Sequence, residues 1–257
     1  MLKLTNFAVT TIELLTEQEC QEVSAVIEDL KDLWIQRHPV VPFYTLGASN
    51  YFDIAYSPLL PYYRMAKEYN PMLMERLGWL YERLAATLAQ QLKAKVGYRE
   101  TLALPGFHIF LSHQAFEQPK DLTHQEWFHH RYDPEFMGNP IHCDTPHLVV
   151  DWGTKEGIDF SNPISFTLSI ALPKSGAGMY VWDLRLDETI GLSQKELLNL
   201  VNSRNKRLYS YKVGNMALHS GLNYHQVAPM QNAQPDDVRI TLQGHGLFCQ
   251  GSWQLYW

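Results

Sequence analysis

The stretch Asn139-Pro140-Ile141-His142-Cys143-Asp144-Thr145-Pro146-His147 is the most informative part of this chain, because it places a histidine two residues before an aspartate. In a β-strand, successive side chains alternate between the two faces, so residues at this spacing project the same way. His142 and Asp144 can therefore bind one metal ion together. The pair alone is a weak signal, because short motifs recur by chance, and the sequence downstream has to support it.

A third ligand can come from a later strand. The segment 211–221 has the pattern of a strand that enters a turn, and His225 opens the next strand, which ends at Pro229. Two imidazoles and one carboxylate on one side of an ion leave coordination positions open, as a non-haem Fe(II) oxygenase requires. His219 is an alternative third ligand, but it precedes the turn, so His225 is favoured.

A rival metal pair stands at His124 and Glu126. Its neighbours 117–121 have the composition of a polar loop rather than of a strand. We therefore prefer the pair at His142 and Asp144.

The order of these residues resembles the pattern of the 2-oxoglutarate and Fe(II)-dependent oxygenase superfamily. That pattern is His-x-Asp, a distal His, and Arg-x-Ser/Thr on the last core strand, which here falls on Arg239 and Thr241. The resemblance covers roughly residues 101–248. It implies that Fe(II) is bound by His142, Asp144 and His225, and that Arg239 and Thr241 bind the distal carboxylate of 2-oxoglutarate; a planar guanidinium suits a carboxylate.

The resemblance also implies the reaction. Oxidative decarboxylation of 2-oxoglutarate by O₂ would be coupled to hydroxylation of an unactivated C–H bond, with succinate and carbon dioxide as by-products. Related halogenases replace the aspartate by a small residue, so Asp144 favours hydroxylation over chlorination. Desaturation and ring closure stay open, because they can follow from the same chemistry.

The composition limits the class of protein. With 257 residues, 46% of them hydrophobic, the chain can form one domain with a full core, so we expect a single domain over 1–257. A formal net charge of −6 argues against nucleic acid as a partner. The absence of a long apolar run argues against a membrane protein. Three cysteines and no signal-peptide pattern favour the cytosol.

The first hundred residues have helical patterns. Thr16 and Glu19 form a capping box at the start of a helix over 17–36, and prolines make 38–58 an irregular connection. A second helix ends at Tyr69, and a third covers 71–96 with a leucine stripe that is typical of packing on a sheet.

From residue 101 the sequence changes to short β-rich runs. These predicted strands are 104–113, 141–151, 164–172, 177–183, 208–213, 215–219, 225–229 and 238–248. Many short strands after helices indicate an α+β fold, with a double-stranded β-helix (jelly-roll) core over 101–257 and the N-terminal helices packed on one sheet. A second capping box, at Ser193 and Glu196, predicts a short helical insertion near 186–205.

The remaining candidates are less specific. Four residues that flank the first two ligands in sequence could contact the substrate, which we expect to be a small molecule such as an amino acid or a secondary metabolite: Arg131, Tyr132, Asp151 and Trp152. The other histidines are given no catalytic role, and the aromatic tail 248–257 is expected in the core or over the barrel mouth. The alternative functions are a non-catalytic metal- or anion-binding jelly roll, and a cupin-like isomerase or hydrolase with Zn or Mn.

Overall fold

The computed structural model describes residues 9–54, 61–117, 140–154, 156–230 and 232–257. The α-helices of these ranges are α1 (Glu17–Asp29), α2 (Tyr62–Leu92) and α3 (Gln194–Ser203). The strands are β1 (Thr10–Glu13), β2 (Ile35–Gln36), β3 (Phe43–Leu46), β4 (Lys95–Tyr98), β5 (Gly106–Leu111), β6 (Ile158–Ala171), β7 (Gly178–Arg185), β8 (Lys206–Ser210), β9 (Asn215–Ser220), β10 (Asn223–Val227), β11 (Val238–Cys249) and β12 (Ser252–Tyr256).

Two sheets make up the core. In the described residues, nine strands form the large sheet, with β1-β9-β6-β11-β5-β3-β2 as its main order and with β12 joining β11 to β4. Three strands, β10-β7-β8, form the small sheet. An isolated bridge between His142 and His225 adds the segment around residue 142 to the outer edge of β10. The predicted α+β class with a jelly-roll core is confirmed.

Strand β11 is the centre of the large sheet. It pairs with β6 along one edge, and with β5 and then β12 along the other. The two faces of the sheet differ: Ile240 and Leu242 belong to the main apolar cluster with residues of α1 and α2, such as Val23 and Leu80. The helices therefore cover one face, as predicted, and the other face is left to line the interior of the jelly roll.

Helix α1 begins where the capping box predicted, since Thr16 and Glu19 bond to each other's backbone N–H groups. It ends at Asp29 rather than at residue 36, because a 3₁₀ turn follows at Lys31–Leu33 and β2 then pairs with β3. Helix α3 is also capped by the predicted box of Ser193 and Glu196.

The break between the two predicted helices lies elsewhere than expected. Helix α2 spans Tyr62–Leu92 with Pro71 inside its first part, and it is kinked at Leu77, where the backbone angles are non-helical. The expectation of a break before Pro71 was wrong, because burial of the leucine stripe against the sheet outweighs the local effect of proline. The helix ends before residue 96 because β4 begins at Lys95.

Two further predictions need correction. The strand expected over 141–151 does not form in these described residues: they contain bridge residues at 141 and 142, and a 3₁₀ turn follows at Pro146–Leu148. The connection expected over 38–58 contains β3 and then a π-helical turn, Asn50–Ile54. Hydrophobic periodicity does not detect a single π-turn, because the turn is much shorter than the window of about 11–18 residues over which periodicity is read.

The aromatic tail lies in the core, as one of the two expectations for it stated. Trp253, Tyr256 and Trp257 are each no more than 1% exposed. The Tyr62 hydroxyl donates to the Trp257 carbonyl at 2.6 Å, which ties the tail to α2. Of the helices in the described ranges, none combines the length and the apolar character that a membrane crossing requires.

Candidate metal centre and pocket

The three residues singled out as metal ligands lie together in the structure. One potential ligand atom from each of His142, Asp144 and His225 falls within 4.8 Å of the others. The Nε2 atom of His142 is 3.6 Å from Oδ1 of Asp144, and Nε2 of His225 is 3.4 Å from Oδ2 of the same carboxylate. Asp144 and His225 are buried, so the group is enclosed by the jelly roll.

The backbone holds these residues in register although no regular strand contains Asp144. His142 and His225 exchange two hydrogen bonds, from each amide N–H to the other's carbonyl, at 3.0 and 2.9 Å. The amide of Asp144 donates to the Gly221 carbonyl at 2.7 Å. A Cβ atom on Gly221 would lie 2.9 Å from Cβ of Asp144 and 2.7 Å from Oγ of Ser165, so this close approach requires glycine.

Both imidazoles are oriented in the same manner. Nδ1 of His142 is 2.7 Å from the Pro140 carbonyl, and Nδ1 of His225 is 2.8 Å from the Asn223 carbonyl. A carbonyl can only accept, so each Nδ1 carries the proton and donates it. The Nε2 lone pair of each ring then points towards the group, as in protein metal sites where a backbone carbonyl fixes the tautomer of the ligand histidine.

The electrostatics favour a cation at this position. Burial alone would raise the pKa of Asp144, but the surrounding imidazoles, His225 first, hold that pKa well below its ordinary value. Burial alone would lower the pKa of His225, but the Asp144 carboxylate raises it. A buried carboxylate that stays ionised attracts positive charge, and two imidazole nitrogens with one carboxylate oxygen form a donor set that Fe(II) accepts.

Two residues not identified from the sequence also contact Asp144. The hydroxyl of Tyr51, in the π-helical turn, donates a short hydrogen bond to Oδ1 of Asp144. Nδ1 of His245 lies 4.0 Å from Oδ2, and burial lowers the pKa of this histidine. No spacing rule connects either residue with the motif, because each reaches the carboxylate through the tertiary fold.

Arg239 and Thr241 lie two apart on β11 and are 3% and 2% exposed. The Arg239 guanidinium stacks over Phe110 at 4.1 Å, and Nη1 donates to the Ala228 carbonyl at 3.4 Å. Burial lowers the pKa of Arg239 to about 10, so the side chain is still a cation at neutral pH. Within the described ranges, its Nε has no hydrogen-bond partner and the side chain has no carboxylate partner.

A pocket with about 800 Å³ of empty space, part of it open to solvent, adjoins the three candidate ligands. Its described walls come from both sheets and from the π-helical turn. Asp144 is the one charged carboxylate, lysine or arginine among those described wall residues. The walls also include Phe43, Tyr51, Phe52, Thr167, Tyr211 and Gln243, whereas Arg239 and Thr241 are not among the described wall residues. Tyr211 interacts electrostatically with Arg239 and hydrogen-bonds to Thr167, and burial raises the pKa of Tyr211 to about 12.

The alternative ligand His219 also lines this pocket, with its ring 4.9 Å from that of His225. Nδ1 of His219 is 3.1 Å from the Ser220 carbonyl, and burial lowers the pKa of His219 to about 4. In the described residues it is His225, not His219, that groups with His142 and Asp144.

The predicted substrate residues are not all placed. Asp151 and Trp152 line a separate depression beside His147 and are absent from the described walls of the triad pocket. Trp152 is buried against Tyr256 and donates from its indole to the His147 carbonyl at 2.9 Å. Arg131 and Tyr132 lie outside the described residues, as do both members of the rival pair, His124 and Glu126.

Comparison with solved structures supports the fold. An N-substituted L-amino acid dioxygenase from Burkholderia ambifaria AMMD has a TM-score of 0.55 and 16% identity, over 96% of this chain and 85% of that one. Its complex with alpha-KG gives a TM-score of 0.50 and 15% identity, over 96% and 84%. A non-heme alpha ketoglutarate dependent epimerase, SnoN from nogalamycin biosynthesis, gives 0.51 and 10%, over 95% and 79%. No family model and no curated protein matches the sequence.

Proposed function

We propose that this protein is an Fe(II)- and 2-oxoglutarate-dependent oxygenase that hydroxylates an unactivated C–H bond of a small molecule. The observation that carries the proposal is the buried group of His142, Asp144 and His225 beside a pocket. Two imidazoles and one carboxylate with open positions are the donor set of non-haem Fe(II) oxygenases. Fe(II) bound there would supply, with 2-oxoglutarate and O₂, the oxidising power for the reaction.

The chain offers a matching place for the co-substrate. Arg239 is a buried cation whose Nε has no partner among the described residues, and such a group favours a bound anion. We propose that it binds the distal carboxylate of 2-oxoglutarate, with the Thr241 hydroxyl as a second donor. Tyr211 and Thr167 line the triad pocket, and Tyr211 interacts with Arg239, so both would contact the co-substrate chain.

The remaining wall residues would bind the substrate and exclude water. Phe43 and Phe52 stack edge to face at 5.6 Å beside the pocket. Because Asp144 is the one charged acidic or basic side chain among the described wall residues, we propose that the part of the substrate nearest the metal is uncharged. The aromatic wall holds a C–H bond in position and keeps solvent away from the reacting centre.

Three observations support the proposed reaction and the proposed location of the protein. Solved structures with this fold include an amino acid dioxygenase and an epimerase, both described with an α-keto acid dependence or ligand. The fold alone does not fix the reaction, so hydroxylation is proposed here on the presence of the Asp144 carboxylate. The three cysteines are free thiols, which supports the proposed location in the reducing cytosol.

The test is an anaerobic titration of the purified protein with Fe(II) and 2-oxoglutarate. A visible charge-transfer band is expected when the keto acid chelates bound iron. Bound iron without this band would favour a non-catalytic metal-binding protein, and metal-dependent turnover without O₂ would favour an isomerase or hydrolase. With the band established, the substrate search begins with amino acids and secondary metabolites that present an uncharged aromatic or aliphatic group, and products identify hydroxylation.

Asp144→Ala should abolish turnover and weaken metal binding while the fold is kept, because the variant loses the one anionic ligand. Metal affinity is measured by titration and folding by circular dichroism. Asp236→Ala is the matched control, since Asp236 pairs with Lys174 on the surface at 2.9 Å. Full turnover by a metal-loaded Asp144→Ala protein would contradict the assignment of the ligands.

A further inference from the structure

Tyr51 occupies a special position among the aromatic residues of the pocket wall. It lies in the π-helical turn Asn50–Ile54, which follows β3, and its hydroxyl donates to Oδ1 of Asp144. Single π-turns are rare and occur frequently at functional sites. The turn thus brings a phenol from the N-terminal region of the chain into contact with the carboxylate of the candidate metal centre.

A buried ion pair fixes this turn. Arg37 donates to both carboxylate oxygens of Asp53, at 2.8 and 2.9 Å, and both side chains are 7% exposed. Asp53 also accepts from the amide of Ser49 at 2.7 Å, and Arg37 donates to Oγ1 of Thr45 at 2.7 Å. Such a bidentate, buried pair holds its partners in one geometry. The backbone on both sides of Tyr51 is therefore fixed before any metal binds.

The two oxygens of Asp144 have different partners. Each oxygen lies near one candidate ligand histidine, Oδ1 at 3.6 Å from Nε2 of His142 and Oδ2 at 3.4 Å from Nε2 of His225, but only Oδ1 accepts the Tyr51 hydrogen bond. A carboxylate oxygen that accepts from a phenol would be less available to a metal than the other oxygen. Binding through one oxygen would leave more positions for other ligands than binding through both.

We propose that Tyr51 is a positioning residue that holds Asp144 for metal binding through one oxygen. The inference rests on the proposed function, since it assumes that His142, Asp144 and His225 bind the metal. Tyr51 itself does not react: it fixes the orientation of the carboxylate and so preserves the open positions that a chelating keto acid and O₂ need.

The experiment uses Co(II), which reports both affinity and coordination in its visible spectrum, with the whole chain and no 2-oxoglutarate. Tyr51→Phe keeps the ring and removes only the hydroxyl. We expect its Co(II) affinity to fall about tenfold to a hundredfold, which is the usual effect of removing a hydrogen-bond partner of a metal ligand. Its spectrum should also change, because the carboxylate can then bind through both oxygens.

Tyr44→Phe is the matched control. Tyr44 is on β3, in the strand that precedes the turn, and packs on Trp34 at 5.7 Å rather than on the metal group. It should bind Co(II) with wild-type affinity and spectrum. Wild-type affinity and spectrum in Tyr51→Phe would overturn the inference and leave the proposed function intact. A wild-type protein that binds no Co(II) would overturn both.

A second variant tests whether the ion pair of Arg37 and Asp53 supports the turn that carries Tyr51. Asp53→Asn breaks the ion pair with Arg37 and should weaken Co(II) binding less than Tyr51→Phe does. In a double-mutant cycle, the loss caused by Asp53→Asn should disappear when Tyr51 is already phenylalanine, because the ion pair acts through the phenol. Losses that simply add would show that the turn does not act through Tyr51. This variant also tests the inference independently if Tyr51→Phe does not fold.

Discussion

Alternating residues of strand β11 form two faces that differ in polarity and in what they pack against. The outer face, defined by Ile240 and Leu242, joins the apolar cluster under α1 and α2. The inner face, defined by Arg239, Thr241, Gln243 and His245, is polar, and all of these residues but the partly exposed Gln243 are buried. Among the described residues, one nitrogen each of Arg239 and His245 has no hydrogen-bond partner. Burying apolar surface stabilises a fold, whereas burying unpaired polar groups costs stability. One face therefore stabilises the fold, and the other carries the residues that we propose bind the co-substrate.

The largest effect on stability is expected from a substitution on the outer face of β11. Leu242→Ala should lower the free energy of unfolding by about 2–5 kcal/mol, because it leaves a cavity at a fully buried position. Denaturant titration measures the loss. The affinity of the folded variant for 2-oxoglutarate should stay at the wild-type value. A variant of normal stability that no longer binds 2-oxoglutarate would reverse the assignment of the two faces.

Arg239→Met tests the inner face of β11, where we expect weaker 2-oxoglutarate binding without a loss of stability. It should raise the 2-oxoglutarate concentration needed for the charge-transfer band about tenfold to a hundredfold, since a charge-assisted hydrogen bond contributes about 1.5–3 kcal/mol. Stability should be unchanged or higher, because a buried cation without a carboxylate partner is removed. Arg76→Met, which breaks a surface pair with Asp29, is the control. An unchanged requirement for 2-oxoglutarate would refute the proposed role of Arg239.

Thr241→Val makes a smaller change on the same inner face of β11. The variant keeps the shape of the side chain and removes one hydroxyl, so 2-oxoglutarate binding should weaken by about 0.5–1.5 kcal/mol, the value of a neutral hydrogen bond. The same titration measures it. Thr11→Val, on the exposed side of β1, should have no effect. If both variants behave alike, Thr241 does not contact the co-substrate.

The sequence predicted the jelly roll and most strands because hydrophobic alternation and turn residues are local signals. It also predicted both capping boxes and the grouping of His142, Asp144 and His225, which needed only a motif and its order along the chain. The strand over 141–151 was predicted wrongly, since Asp144 lies outside regular strand geometry and its amide bonds to the Gly221 carbonyl. The two-residue spacing thus predicted residues that the fold brings together, although the strand on which the argument rested does not form.

What the sequence could not predict lies in tertiary contacts. Tyr51 reaches Asp144 only because a π-turn and the Arg37–Asp53 pair direct it there. Asp151 and Trp152 were favoured as substrate residues because they are near the motif in sequence, yet they line another depression. Proximity along the chain says little about a pocket whose walls come from two sheets.

The reciprocal hydrogen bonds between His142 and His225 also affect how the protein behaves without its metal. The two histidines form a bridge that adds the segment around residue 142 to the edge of β10. An ion bound by both side chains would link the two paired segments and would stabilise the paired state by mass action. Without the ion, opening of the rung exposes the hydrogen-bonding groups of β10, and an unprotected strand edge invites pairing between molecules. The supply of iron would then affect the resistance of the protein to aggregation as well as its catalysis.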